Sequence, residues 1–401
     1  MKDRLSEFIS RVSAKRLSAV EADVARSNQH EFNGVNSLKP ILGEAPFQRR
    51  PTKFIWLGGE DEVVRSDSWL TWYDAREKHP TRSEWRLYFP SNEVMQLAAE
   101  GATLFVLLSP DNQLTCVLCE DDTIAHQLLW LFKIDTADLL GFEPKGLGGI
   151  NDRNLGFSES WILEALGFEL ESSEDIDLIL DRFGDAFPTT RHFSDFAREL
   201  EGEFKPGEHS PDEKLIAFLT REESLFRTFE RHLIEERLTT GFLVQDQVDV
   251  DGFISFSLSV QNRRKSRAGY SLENHMQAIF EASGIPFQRG AQTENRKKPD
   301  FLFPGQAEYH NPDYPEPMLL MLGAKSTCKD RWRQVLSEAA RISVKHLLTV
   351  EPSISKNQTD EMRASNLQLV VPRAIQETYL PDQCDWLIGF EDFIKLATPS
   401  P

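Results

Sequence analysis

Cysteine is scarce in this chain, and positive charge is in deficit. Four cysteines in 401 residues exclude a scaffold built on disulfides, which would use them far more densely. Cys116 and Cys119 form a CxxC in LTCVLCEDD, but no second Cys/His pair follows at zinc-site spacing. Their odd separation in a β-prone run puts the two thiols on opposite faces of one strand. No apolar run is long enough for a transmembrane helix. The first stretch, MKDRLSEFISRVSAKRLSAVEADVARS, is charged throughout and lacks a signal-peptide core, so a cytoplasmic location is expected. Internal repeats and low-complexity tracts are absent too. A formal net charge of -19 argues against a generic nucleic-acid coat protein, which adheres through excess positive charge.

The charge is nevertheless uneven. Residues 255–345 hold fourteen Lys or Arg against nine Asp or Glu, a local excess of positive charge inside an acidic chain. Such a distribution suits a confined site for a polyanion. KKPDFLFPG, residues 297–305, lies within it and gathers cations around one carboxylate at the mouth of a β-prone run.

The length allows two domains. Residues 1 to about 165 read as α/β, with β-rich runs KFIWLGG, WLTWYD, WRLYF, ATLFVLL and LTCVLC. EVMQLAAEG and DTIAHQLLWLF read as helices beside the last of these. GFEPKGLGGINDRNLGF is turn-rich; GLGG lacks the preceding strand and following Lys-Ser/Thr of a phosphate-binding loop, and a plain loop is expected. An acidic stretch follows, and the boundary is placed near 170, giving domains 1–170 and 171–401. SPDEKLIAFLTREESLFRTFERHLIEERL is strongly helical, opened by Ser-Pro-Asp. A helix is expected from about Ser271, then strands FLF and PMLLMLGAKS, a helix from about Asp330, and strands HLLTV and QLVVP. That order makes an α/β sandwich around a small mixed sheet.

Asp300 begins one of these strands, and Lys325 ends the next, 25 residues later. An acid and a lysine on neighbouring strands are the core of the PD-(D/E)XK nuclease arrangement. Carboxylates hold Mg²⁺, a hard cation that prefers oxygen ligands. The metal polarises the phosphate, and the lysine orients the nucleophile and offsets developing charge. One departure stands out. The usual second acid, two residues before the lysine, is replaced by Gly323. Glu338, 13 residues after Lys325, could return a carboxylate from the expected helix DRWRQVLSEAARI, and Glu273 offers another. Taken singly, each of these residues has an ordinary reading as a cap, a solvated helix face or a surface acid.

NRRKSRAGYSLE, KKPDFLFPG, EYHN, GAKSTCKDRWRQVLSEA and LVVP together resemble the catalytic domain of EcoRII-type restriction endonucleases, from about residue 187 to 372. The resemblance implies a permuted active site in which a helix glutamate replaces the missing strand acid. It assigns Asp300 and Glu338 to Mg²⁺, Lys325 to catalysis and Glu273 to a supporting role. Lys329, Asp330 and Arg331 match positions that read guanine and cytosine, a role for which cations and a carboxylate are chemically suited. Arg263, Arg264, Lys265 and Arg267 form a basic knot just before the Glu273 helix and are read as phosphate contacts; a solvated loop is the alternative. The family also carries an N-terminal B3-like β-barrel effector domain that binds a second copy of the recognition site. KRLSA (15–19), YDAR (73–76) and TRSEWR (81–86) resemble it more patchily. Arg82, Glu84 and Arg86 alternate as if on one strand face, with Arg76 on the preceding turn, so they could read base edges or form a salt-bridge ladder. Lys15 and His30 are further candidates by the same resemblance.

The expected protein is thus a type II restriction endonuclease cutting both strands of double-stranded DNA at a short site with a CC/GG element (CCWGG-like). The activity implies a homodimer and a cognate methyltransferase acting on the same site. Three other readings fit parts of the sequence: a recombinase-like enzyme using Tyr309 beside His310 as nucleophile, a DNA-binding regulator on a degenerate nuclease fold, and a nuclease dependent on modified DNA.

Overall fold

The computed structural model describes residues 4–22, 30–58, 63–79, 81–120, 122–147, 155–168, 175–244, 247–328 and 331–398. The chain divides into two compact units, Met1–Leu170 with Ser353–Ser355, and Glu171–Pro352 with Lys356–Pro401. Among the described residues no helix is long and apolar enough to cross a membrane.

The described residues of the first unit form eight strands: β1 (Arg11–Arg16), β2 (Glu31–Phe32), β3 (Phe47–Leu57), β4 (Val63–Asp74), β5 (Trp85–Tyr88), β6 (Thr103–Leu108), β7 (Leu114–Cys119) and β8 (Lys145–Gly146). They pair in the order β2-β5-β4-β3-β7-β6-β1-β8. The β3–β7 pair is parallel and the others are antiparallel. Among the described residues β2 and β8 end the sheet, with no pairing between them. Period-two alternation splits the apolar residues between two faces. Phe54, Trp56, Leu104, Val106 and Cys116 pack in one cluster, and Ile55, Leu57, Phe105, Val117 and Cys119 in the other. Both thiols are buried and neither forms a disulfide among the described residues. The Asp122–Phe132 helix covers the second face. EVMQLAAEG forms only the short helix Glu93–Gln96, capped by the Asn92 side chain.

The second unit opens with helices Ile176–Phe183, Thr190–Glu201 and Pro211–Thr240. Strands β9 (Leu243–Val244) and β10 (Gln247–Val248) make a small hairpin before the long helix Val250–Ala282. This helix begins some twenty residues earlier than its C-terminal half suggested, so the basic knot lies inside it rather than in a loop. The central sheet runs β11 (Gln288–Arg289), β12 (Phe301–Phe303), β13 (Leu320–Lys325), β14 (Lys345–Thr349) and β15 (Leu367–Val370) in sequence order. β11–β12–β13 is antiparallel and β13–β14–β15 parallel, which makes the mixed sheet. Phe280, near the end of the long helix, sets its ring edge-on against Phe301 and Phe303 at 5.3 and 5.2 Å. That contact fastens the helix bearing Glu273 to the strand that follows Asp300.

Candidate active site

Asp300 stands immediately before β12, and Lys325 is the last residue of β13. The antiparallel register pairs Phe301 with Leu322, which brings the two residues to the same end of the sheet. Asp300 Oδ2 accepts the Ala324 backbone N–H at 2.7 Å and the Lys325 ammonium at 3.0 Å. Both side chains stay about one-fifth exposed. The aspartate is therefore oriented by the backbone of the neighbouring strand while keeping an edge open to solvent.

Gly323 explains the missing strand acid. A Cβ there would lie 3.1 Å from Val335 Cγ2 and 3.3 Å from Leu347 Cδ1. The space of a side chain is already filled by Val335, which belongs to the short helix Trp332–Val335. That helix is one turn long, so Glu338 does not sit on it. Glu338 lies in the turn just beyond, which is a correction to the expected long helix. The turn is held by distant groups. Thr293 Oγ1 accepts from Ala339 N–H at 3.4 Å, Glu294 from Ala340 N–H at 3.1 Å, and the buried Lys345 ammonium donates to the carbonyls of Ala339 and Ile342. Burial, then the nearby Asp300 charge, push the Glu338 carboxyl up to about 7; Lys325, Lys297 and Lys345 oppose this.

Glu273 lies on the long helix facing the same charges. Burial, then Asp300, raise its carboxyl above the ordinary value, against the pull of Arg289 and Lys325. Arg289 in β11 grips it with Nε and Nη2 at 3.0 and 2.6 Å, and binds Asn274 Oδ1 at 2.8 Å. Arg289 thus joins the cluster, although the sequence reading passed over it; its signal was a lone arginine in FQRG just upstream of KKPD. The four expected residues share one electrostatic neighbourhood. Asp300 raises the proton affinity of both Glu273 and Glu338, and the three side chains supply hard oxygen donors of the kind that Mg²⁺ takes.

The surrounding candidates fare differently. Lys329 and Asp330 lie outside the described residues. Arg331 is exposed, and its Nη2 donates to Thr327 Oγ1 at 2.6 Å. Of the basic knot, Arg263 stacks over the Phe187 ring at 4.4 Å. Arg264 pairs with Glu230 at 2.5 Å yet keeps 62% of its side chain exposed. The side chain of Lys265 is outside the described part. Arg267 is buried, bonded to Glu223 and 3.4 Å from Glu222. Its guanidinium is spent inside the helical layer, so the phosphate-contact expectation is corrected there. Tyr309 is buried as well. Its hydroxyl donates to Glu294 at 2.6 Å and accepts from Arg341 N–H at 3.1 Å, and burial followed by Glu294 pushes it up to about 12. A phenol so placed is poorly suited to act as a nucleophile.

In the first unit Arg82 and Glu84 precede β5, and only Arg86 is in the strand, so the expected alternation on one strand face does not occur. Glu84 instead links Arg76 at 2.6 Å to Arg86 at 2.9 Å, and Arg86 reaches Glu31 at 3.0 Å. This is the salt-bridge ladder. Arg82 is exposed. Lys15 is buried, bonded to Glu21 at 2.7 Å and to the Asn33 carbonyl at 3.1 Å. A buried, paired ammonium is a structural group, which corrects its expected role in contacting DNA. His30 packs beside Tyr88 and Phe89 with ring centroids 5.9 and 5.8 Å away.

Residues 226–394 match the family model described as EcoRII C terminal. The type II restriction enzyme EcoRII of Escherichia coli is 44% identical over 170 residues, which are 42% of this chain and 41% of that enzyme. The type II restriction enzyme SsoII of Shigella sonnei is 24% identical over 151 residues, 35% of this chain and 48% of that enzyme. The chain thus spans less than half the length of these curated relatives. Among solved structures, metal-depleted Ecl18kI in complex with uncleaved DNA aligns with a TM-score of 0.45 and 21% identity, covering 57% of this chain and 84% of that one. A PspGI–substrate DNA complex aligns with a TM-score of 0.41 and 15% identity, covering 52% and 91%.

Proposed function

We propose that this chain, which matches the EcoRII C-terminal family over residues 226–394, is a Mg²⁺-dependent type II restriction endonuclease. It hydrolyses both strands of double-stranded DNA at a short, palindrome-like site with a CC/GG element, CCWGG-like in form. The observation that carries this reading is the Asp300–Lys325 pair, 3.0 Å apart at adjoining strand ends, with Glu338 raised to about 7 beside it.

In this reading Asp300 and Glu338 hold the ion, and Glu273 supports them through its clamp to Arg289. Bound Mg²⁺ supplies Lewis-acid polarisation of the scissile phosphate. Lys325 orients the attacking water and offsets the charge that builds on the phosphoryl oxygens. The water oxygen bonds to phosphorus as the bond to the leaving oxygen breaks, and the leaving oxygen ends protonated. Lys329, Asp330 and Arg331 read guanine and cytosine edges. Arg263, Arg264 and Lys265 contact phosphates; Arg267 is dropped from that set because it is buried. Cleavage of both strands at a palindrome calls for a homodimer, and a methyltransferase protecting the same site is the expected partner. The first unit is proposed to bind DNA as an allosteric effector, with Arg82, Arg86, Arg76 and Glu84 on its exposed side.

A direct test uses unmethylated duplexes, one with a CCWGG site and one with the site scrambled, incubated with Mg²⁺. Cutting confined to the CCWGG duplex is expected. Equal cutting of both, or tight binding of the site without cutting in Mg²⁺ or Mn²⁺, would contradict the proposal.

A further inference from the structure

We propose that Asp185, His232 and Glu236 form a binding site for a divalent transition-metal ion, separate from the acids around Asp300. One ligand atom from each of the three lies within 4.8 Å of the other two. His232 and Glu236 are four residues apart on the Pro211–Thr240 helix and so present their side chains on one face. Asp185 comes from a different segment. It follows Gly184, which ends the Ile176–Phe183 helix in a left-handed conformation (φ +62), so the chain turns at once to face the longer helix.

Several acids of the Pro211–Thr240 helix are ion-paired, among them Glu223 with Arg227 at 3.1 Å and Glu235 with Arg231 at 3.0 Å. The carboxylates of Asp185 and Glu236 have no ion-pair partner among the described residues, yet they converge on an imidazole. A cation between two carboxylates is attracted by both and can take the imidazole nitrogen as a further ligand. The donor set chooses its class. One imidazole and two carboxylates suit Zn²⁺, Mn²⁺, Co²⁺ or Ni²⁺, whereas Mg²⁺ favours oxygen and retained water. Asp185 and Glu236 are exposed and His232 is half-buried, so an ion can enter without opening the fold. Three protein ligands leave remaining positions to water.

The site has a structural consequence. Asp185 lies two residues before Phe187, whose ring meets Phe226 and Phe229 at 5.2 and 4.7 Å. His232 follows Phe229 by less than one helical turn. An ion there ties the loop to the helix beside the phenylalanine cluster and adds its binding energy to the stability of that layer.

The test uses the 401-residue chain stripped with EDTA and titrated calorimetrically with ZnCl₂ and, separately, MgCl₂. Wild type and Asp300→Ala should share one site that takes Zn²⁺ far more tightly than Mg²⁺. His232→Ala should weaken that site by at least about tenfold, the scale on which even outer-shell partners act, and Glu236→Gln should weaken it too. Zn²⁺ should raise the melting temperature of wild type and not of His232→Ala. Wild-type Zn²⁺ affinity in both His232→Ala and Glu236→Gln, or no micromolar Zn²⁺ binding by wild type, would overturn the proposal. Neither outcome bears on DNA cleavage, so the two readings fail separately.

Discussion

At the scale of single residues, the account turns on Asp300, Lys325 and Glu338. Lys325→Ala removes the ammonium that stands 3.0 Å from Asp300 without opening the strand. Its expected effect is a fall in the single-turnover cleavage rate of about 10²–10³-fold, the size of losing one preorganised charge-stabilising group, with DNA affinity largely kept. Gel-shift binding and quenched-flow cleavage of one duplex separate the two quantities. Glu338 adds a pH dependence. Its folded value, about 7, is above that of a free carboxyl, so the folded state holds the proton more tightly than the unfolded state. Ionising it therefore opposes folding, by an amount that grows from the ordinary carboxyl range up to about pH 7 and then stays constant. Glu338→Gln should accordingly be more stable than wild type at pH 8 and lose that advantage below about pH 4.5 in urea titrations. A metal requires the ionised form, so Mg²⁺ binding should strengthen as pH rises toward 8 in wild type and show less of this trend in Glu338→Gln.

Elements show where reading the sequence was sufficient and where distant contacts decided. Asp300 and Lys325 were legible because FLF and LMLGAK are short β-prone runs, and their ends follow from the flanking Pro and Ser. Glu338 was legible as a residue but not in its setting. DRWRQVLSEAARI has helical periodicity, yet the helix stops at Val335. Thr293, Glu294 and Lys345, each distant in sequence or in another element, take the backbone groups of the following turn, and no local signal announces them. Arg267 departs from the phosphate-contact reading for a similar reason. Arg267 meets Glu222 and Glu223 on the Pro211–Thr240 helix, some 45 residues earlier, so a cluster that looks solvated in the sequence is half committed to a helix interface. Lys15 and Glu21 repeat the pattern at shorter range.

Glu222 is fully buried, with His275 Nε2 at 2.9 Å and Arg267 at 3.4 Å. Although burial favours its neutral form, His275 and Arg267 hold its carboxyl below the ordinary value. Glu222→Ala leaves Arg267 buried beside a single remaining acid and should cost about 3–5 kcal/mol in chemical denaturation; a change under 1 kcal/mol would speak against an interior ion pair. Gly323→Asp, which restores the usual acid position, should not rescue Glu338→Ala. Its Cβ meets Val335 and Leu347, and overpacking of this kind costs about 1–3 kcal/mol before the buried charge is counted. Recovery of cleavage in the double variant would show that the strand position has room for a ligand.

The whole molecule raises the question of control. The first unit is proposed as an effector, although Arg76, Glu84, Arg86 and Glu31 are satisfied by one another and Lys15 is buried. Exposed ion pairs of this type contribute little to stability, so exchanging them for DNA contacts is not costly. Removing residues 1–170 should raise cleavage of DNA carrying a single site. An unchanged dependence on site number in the shortened protein would contradict the effector role. In the proposed function the acidic remainder of the chain limits loose adhesion to DNA, while the basic stretch at residues 255–345 concentrates attraction where Asp300 lies; cleavage should therefore weaken steeply with added salt. The central claim is the reaction itself. Wild type and Asp300→Ala should be incubated with unmethylated plasmid of known sequence in Mg²⁺ and in EDTA, and the ends sequenced. The account predicts discrete ends at CC/GG-type sites that require both Mg²⁺ and Asp300; intact plasmid with wild type in Mg²⁺, or identical ends from Asp300→Ala, would contradict it.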